Sequence, residues 1–259
     1  MRVQIIASSS TANTALLEAG ADQLVLDAGT FPNAVHAAGA EHDRITAVLV
    51  THEHEDHARY AWAYAEGGID VVATRGTFTA MKRAVPEHRR IPIEHRQTLW
   101  LGRWRIVAFT VEHDAAEPVG FLIAHETDTD RALYITDAGK IPGTFRGVTH
   151  ALVEANYDPF LLATETKGGR TDRTLAERIR KTHLSIYEAE QLLGSLDARG
   201  PYLEEVHLLH LSDAHSDASD FVARIRAATG RPVYVGGHQG AHRGANIAAD
   251  SVTVTHDEP

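Results

Sequence analysis

Apolar residues fall into short runs separated by polar turns along most of the chain. Runs at Val3–Ala7, Ala15–Glu18, Gln23–Asp27, Ala47–Thr51, Val71–Ala73, Leu99–Trp100, Arg105–Thr110, Val119–His125 and Ala132–Thr136 are alternating or continuous, which is the pattern of half-buried or fully buried strands. Helical spacing predicts helices over Pro32–Ala38, Ala58–Glu66 and Thr77–Val85, with Pro86 ending the last. A strand at Ala151–Ala155 follows, then helices over Thr174–Lys181 and Ile186–Ala198. Strand Val206–His210, helix Asp217–Ala228 and strands Val233–Val235 and Val252–Val254 complete the pattern. Two strand-rich halves, each with its own helices, predict two sheets face to face with helices outside. That is a four-layer αββα sandwich of the α/β (α+β) class. No repeat period or Pro/Ser linker interrupts the chain, so residues 1–259 read as a single domain.

Several of these strands hand over to a residue that can bind metal. The run TAVLVT leads into THEHEDH at 51–57, and ARYAWAYAEGG after it has helical character. The heptad therefore sits on a strand-to-helix loop, where several side chains can converge on one point. His52, His54 and His57 offer imidazoles and Asp56 a carboxylate, donors that suit zinc-like cations better than calcium or magnesium. Alone, the heptad has a bland alternative, a solvated, histidine-rich helix cap, which its strand-loop-helix setting disfavours. Three more polar residues follow strands in the same way: His113 past Arg105–Thr110, Asp137 past Ala132–Thr136, and His210 past Val206–Leu209. The seven divide into His52, His54 and His113 for one ion and Asp56, His57 and His210 for another, with Asp137 bridging. Two divalent ions about 3.5–4 Å apart lower the pKa of water between them, and they stabilise charge on a phosphodiester or polarise a carbonyl.

Composition narrows the field. The 17 histidines are unusual for this length, and the absence of cysteine leaves no disulfide or thiolate ligand, compatible with a reducing, cytoplasmic setting. MRVQIIASSS lacks a secretory apolar segment, and no run is long enough to span a membrane. The formal charge of −10 disfavours a broad basic face for nucleic acid but leaves room for a local groove. Basic residues cluster at Arg83, Arg89, Arg90 and Arg96, and at Lys167, Arg170, Arg173, Arg178, Arg180 and Lys181. The second cluster leads into His183 and is the better candidate for gripping phosphates, with Arg178 at its centre. Trp62, Trp100 and Trp104 read as packing residues, and His238 receives no role.

These motifs resemble the metallo-β-lactamase-fold hydrolases, and among them the YycJ/WalJ-type bacterial hydrolases related to tRNase Z and RNase J. The resemblance is carried by SSSTANTALLEAG at 8–20, LDAG at 26–29, LVTHEHEDH at 49–57, VEHDAAEPVGF at 111–121, YITDAG at 134–139, VEANYD at 153–158, THLSIYEAEQLL at 182–193 and LLHLSDAHSD at 208–217. The chain departs from the family at SSSTAN, where SSGSSGN is usual, and near Tyr157, where a histidine is usual.

The resemblance implies two divalent ions, zinc first and manganese second, and cleavage of a phosphodiester at a nucleic-acid end. A cyclic nucleotide or other small phosphodiester is the alternative substrate; ester, thioester or lactam hydrolysis is a further one. Iron-based oxidation and a metal-binding protein without turnover are the readings from other classes. By the same resemblance Asp56 is catalytic as well as a ligand, His183 protonates the leaving group, and Glu154 orients His183. Asp27 fixes the ligand loop and Asn156 lines the pocket. Ser185 and Glu188 beside His183 have capping-box spacing. The stretch from Asp137 to His210 is too short for the extra domain of RNase J, and no Gly/Pro-rich arm of the tRNase Z kind is visible. A cytoplasmic homodimer without membrane attachment is expected.

Overall fold

The computed structural model describes residues 1–140, 143–198 and 202–236. The first sheet runs in sequence order through β1 (Arg2–Ser9), β2 (Ala12–Ala19), β3 (Asp22–Leu26), β4 (Ile45–Leu49), β5 (Asp70–Ala73) and β6 (Arg90–Pro92). The pairs β1–β2 and β2–β3 are antiparallel, and from β3 onward the pairing is parallel. Parallel neighbours need a crossover. Helix α1 (Pro32–Ala37) bridges β3 to β4, α2 (Glu55–Ala58) and α3 (Ala61–Glu66) bridge β4 to β5, and α4 (Arg75–Ala80) bridges β5 to β6.

The second sheet contains β7 (Thr98–Leu101), β8 (Trp104–Thr110), β9 (Val119–His125), β10 (Arg131–Ile135), β11 (His150–Glu154), β12 (Glu205–Leu209) and β13 (Val233–Val235), side by side in that order. It is antiparallel from β7 to β10 and parallel from β10 to β13. Its crossovers carry α5 (Pro159–Lys167), α6 (Arg173–Thr182), α7 (Ile186–Ala198) and α8 (Ala218–Thr229).

Strand alternation sends neighbouring residues to opposite faces. Leu17, Leu24, Leu26 and Leu49 face Trp104, Ile106, Phe121, Ile123 and Leu152 across the sandwich. Their neighbours Leu16, Val25 and Val48 turn outward against Val35, Tyr64 and Phe78 of the first helical layer. In the second sheet Leu133, Val153, Val206 and Leu208 face Leu192, Leu193, Phe221 and Ile225 of α7 and α8. The central strands are thus dry on both faces, which is why they read as near-continuous apolar runs, whereas β7 and β8 leave one face to solvent. The expected layer order is present. Each large side chain so buried contributes about 1.5–3 kcal/mol, and truncating Trp104 to alanine would cost about 3–5 kcal/mol.

Some elements differ from expectation. The helix expected over Ala58–Glu66 is two, because Tyr60 N donates to Ala28 O (2.9 Å) and fixes a break between α2 and α3. The helix expected to reach Val85 stops at Ala80, where Met81 turns extended (ψ 129°). Neither β6 nor α5 was expected. Trp104 is core, whereas Trp100, on edge strand β7, is 59% exposed. Trp62 lies under the Arg83 guanidinium, 3.0 Å from its ring centroid. The strand expected at Val252–Val254 and His238 lie outside the described residues.

Strands β4, β8, β10, β11 and β12 all end at one rim, and there the candidate ligands collect. At the start of the parallel strands, the opposite rim gathers Asp130, His150 and Glu204, where the Met1 ammonium pairs with Asp130 and with Asp128 (2.6 Å).

Candidate metal centre

The rim is built from backbone that leaves the sheet abruptly. Asp27 (φ 56°), Asp137 (φ 49°) and His210 (φ 53°), directly after β3, β10 and β12 or one residue beyond, adopt left-handed backbone. For a residue with a Cβ this costs about 1–2 kcal/mol, and such strain clusters where a side chain must be aimed for function. Close packing holds the loops in place. A Cβ on Gly29 would stand 2.0 Å from Asp56 O, and one on Gly139 would stand 1.7 Å from Lys181 O. Only glycine fits either position.

The donor atoms of His52, His54 and His113 lie within 4.8 Å of one another. Hydrogen bonding fixes which nitrogen each can offer. Thr51 Oγ1 donates to Asp27 Oδ1 (3.0 Å), so it accepts from His52 Nδ1 (3.0 Å) and leaves the lone pair on His52 Nε2. That Nε2 is buried and has no hydrogen-bond partner. His113 Nδ1 donates to Thr182 O (2.9 Å), which turns its Nε2 toward His54 Nδ1, 3.2 Å away. Two of the three nitrogens thus hold lone pairs aimed at a shared point. Such a cluster has the donors to hold a cation.

Asp56, His57 and His210 form the second set. His57 Nδ1 donates to Asp27 Oδ2 (2.8 Å), and its Nε2 faces Asp137 Oδ2 at 2.7 Å and Asp56 Oδ2 at 3.2 Å. His210 Nε2 faces Asp56 Oδ2 at 3.4 Å and Asp137 Oδ1 at 3.6 Å. Asp137 also groups with His52 and His57 within 4.8 Å, so its carboxylate stands between the two sets. All seven expected ligands are brought together.

Behind them, His183 Nδ1 donates to Glu154 Oε1 (2.6 Å), and Glu154 Oε2 accepts from the backbone N–H of Ala138 (3.0 Å) and Leu184 (3.1 Å). Glu154 therefore holds His183 and the loop, and its Oε1 also stands 3.7 Å from His210 Nδ1, so that Asp137, Glu154, His183 and His210 form a further group within 4.8 Å. Ser185 and Glu188 form the expected capping box at the start of α7. Asn156 donates to His210 O (2.8 Å). Arg178, half-exposed on α6, grips Asp114 (2.6 Å), whose other oxygen is 3.3 Å from His113 Nε2.

Electrostatics separate the two sets. Burial, then the neighbouring His57, presses the His52 pKa well below the ordinary imidazole range, and burial lowers that of His113. Burial also opposes charge on His57 and His210, but carboxylates prevail: Asp137 and Asp27 hold His57 well above its usual value, and Asp137 with Asp56 push His210 to about 9. Against their own burial, Asp137 and Asp56 are held below the carboxylate range by these imidazoles. His183 is raised, Glu154 and Asp137 outweighing burial.

Several partners carried no expectation. Asn13 donates to Asp56 Oδ2 (3.1 Å) and approaches His57 Nε2 (3.0 Å), Tyr134 Oη donates to Asp27 Oδ2 (2.7 Å), and His210 N donates to Ser8 Oγ (2.8 Å). Asn13 and Ser8 fall within the SSSTAN segment, which was their one available signal.

Imidazole and carboxylate donors, an orphaned buried His52 Nε2 and imidazoles packed among carboxylates together fit divalent metal ions. Among known proteins, the chain is 27% identical over 224 residues to exodeoxyribonuclease YycJ of Bacillus anthracis, covering 82% of this chain and 83% of that one. It is 28% identical over 226 residues to exodeoxyribonuclease WalJ of Streptococcus pneumoniae, covering 82% and 81%. The metallo-beta-lactamase fold protein YhfI of Bacillus subtilis superposes with a TM-score of 0.67 over 91% of this chain and 95% of its own, at 13% identity. The profile of the Beta-lactamase superfamily domain matches residues 13–203, most of the chain, and the chain belongs to that family.

Proposed function

We propose that the chain is a dinuclear metal-dependent phosphodiesterase acting at nucleic-acid ends, with zinc as its first metal and manganese as the alternative. The observation that supports this reading best is the position of Asp137, which groups with His52 of the three-histidine set and faces His57 and His210 of the other. The names of YycJ and WalJ as exodeoxyribonucleases favour a nucleic-acid substrate.

Divalent ions, when bound, supply Lewis-acid stabilisation of a phosphoryl group and a nucleophile at neutral pH. His52, His54 and His113 would hold one, Asp56, His57 and His210 the other, with Asp137 between. The chain's own residues supply the rest. His183 keeps a proton on Nε2 for the departing alkoxide, and Glu154 fixes its orientation through Nδ1. Asp27 holds His57 and the ligand loop together, Asn156 steadies the His210 loop, and Arg178 offers a cation at the edge.

The formal charge of −10 favours a second reading, a small phosphodiester such as a cyclic nucleotide. The deciding experiment assays the metal-loaded protein and an Asp56→Ala variant on bis-p-nitrophenyl phosphate, linear DNA, RNA, cyclic nucleotides and a thioester. Metal-dependent cleavage of DNA that the variant loses supports the first reading; turnover confined to cyclic nucleotides supports the second, and turnover confined to the thioester rejects both. The protein is proposed to work in the cytoplasm as a homodimer, which light scattering tests. No helix among the described residues is long and apolar enough to cross a membrane.

A further inference from the structure

The Glu154–His183 contact is the innermost rung of a ladder between two chain segments. Beyond it, Asn156 N donates to Leu184 O (2.9 Å), Ile186 N donates to Tyr157 O (2.9 Å), and Tyr157 pairs with Ser185 as a parallel bridge. The segments then part into α5 and α7, on whose first turns Phe160 and Tyr187 meet again, edge to face, with ring centroids 6.4 Å apart. Four residues of chain span at most about 14 Å. The backbone of each aromatic residue therefore lies within that distance of Asn156 or His183.

Both rings face solvent, Phe160 at 73% and Tyr187 at 38% exposure. Neither completes a core. One cation lies against the pair: the Arg224 guanidinium is 4.2 Å from the Tyr187 ring centroid and is anchored by Glu190 (2.6 Å). Arg180 and Lys181, just before His183, are exposed and have no ion-pair partner among the described residues. Exposed rings within four residues of Asn156 and His183, with unpaired cations just before His183, have the chemistry of a single-strand nucleic-acid track that continues a candidate phosphodiester site. Bases stack on the rings without regard to sequence, and the backbone phosphates meet the cations.

We propose that Phe160 and Tyr187 form a stacking step for the bases next to the scissile phosphodiester of a single-stranded nucleic acid, with Arg180 and Lys181 along its backbone. The proposal rests on the phosphodiesterase reading above. Such a step sets the polymer apart from small phosphodiesters, which are too short to reach it.

The test uses the zinc-loaded full chain, its Phe160→Ala and Tyr187→Ala variants, and a conservative Phe160→Tyr variant. Binding is followed by fluorescence anisotropy with a short single-stranded phosphorothioate oligodeoxynucleotide, and with one of equal length whose terminal residues are abasic. Each alanine variant is expected to lose about tenfold in affinity for the base-bearing strand, and Phe160→Tyr to recover it. The abasic strand is expected to bind the parent and the variants equally weakly. Hydrolysis of bis-p-nitrophenyl phosphate should not change. The idea is overturned if the parent binds both strands alike, if the alanine variants bind as the parent does, or if Phe160→Ala instead dissociates a homodimer. Base-dependent binding without hydrolysis of any phosphodiester would sink the enzymatic reading and leave the stacking step standing.

Discussion

The phenol of Tyr134, on the second sheet, donates to the carboxylate of Asp27, at the end of β3 in the first sheet, across 2.7 Å of buried interior. The same Asp27 oxygen accepts from His57 Nδ1, and the other accepts from Thr51 N and Oγ1. One carboxylate thus ties both sheets to the ligand loop. Tyr134→Phe removes a hydrogen bond to a charged group and is expected to destabilise the metal-free protein by about 1.5–3 kcal/mol in urea titrations. Loosening a ligand's support typically weakens metal binding about 10–100-fold, which chelator competition would read. Unchanged stability and unchanged affinity would show that the phenol is incidental.

The two ligand sets should be separable by metal analysis. His113→Ala removes one of the imidazoles of the His52–His54–His113 set and is expected to lower the content from about two equivalents of metal to about one. Asp137→Ala, which touches both sets, should weaken both. A His113→Ala protein that keeps the parent's full content would contradict the division.

The charged set makes metal binding depend on pH in a stated direction. In the metal-free protein, His210 has its pKa pushed up to about 9. A raised imidazole stabilises the fold fully below its unfolded pKa of about 6.5, and that contribution is lost as pH rises through about 9. A cation must displace the same proton, so zinc affinity should climb across this window and then level off for this group. Calorimetry in buffers of different ionisation heat should register proton release. Affinity that falls with pH there would contradict the assignment.

If His183 protonates the leaving group, its removal should matter only when that group is a poor one. His183→Ala is expected to lower kcat on DNA by about 10²–10⁴. Turnover of bis-p-nitrophenyl phosphate, whose leaving phenolate needs no proton, should change little. Equal losses on both substrates would point to a purely structural part for His183.

Much of the fold was legible because the central strands of both sheets are buried on both faces, leaving unbroken apolar runs such as AVLV and LYI. What escaped lacked that contrast. Residues Arg90–Pro92 are all half-buried, and α5 concentrates its apolar residues at Phe160–Leu162, of which only Leu162 is buried. The break between α2 and α3 is set by a hydrogen bond from Tyr60 to a loop thirty-two positions earlier, and helical periodicity runs straight through it. The candidate ligands were legible because each is a polar residue just past an apolar strand. Tyr134 sits inside a strand with the pattern of any core residue, and Thr182 acts through its carbonyl, so neither the alternation nor the residue type marked them.

The left-handed corners at Asp27, Asp137 and His210 set stability and chemistry against each other. Glycine would relax each corner by about 1–2 kcal/mol while deleting the group that the corner presents, and at Asp27 the lost bonds to Tyr134, Thr51 and His57 outweigh that relief. An enzyme of this design cannot be hardened at its own rim; reinforcement has to come from the helical outer layers, far from the histidines.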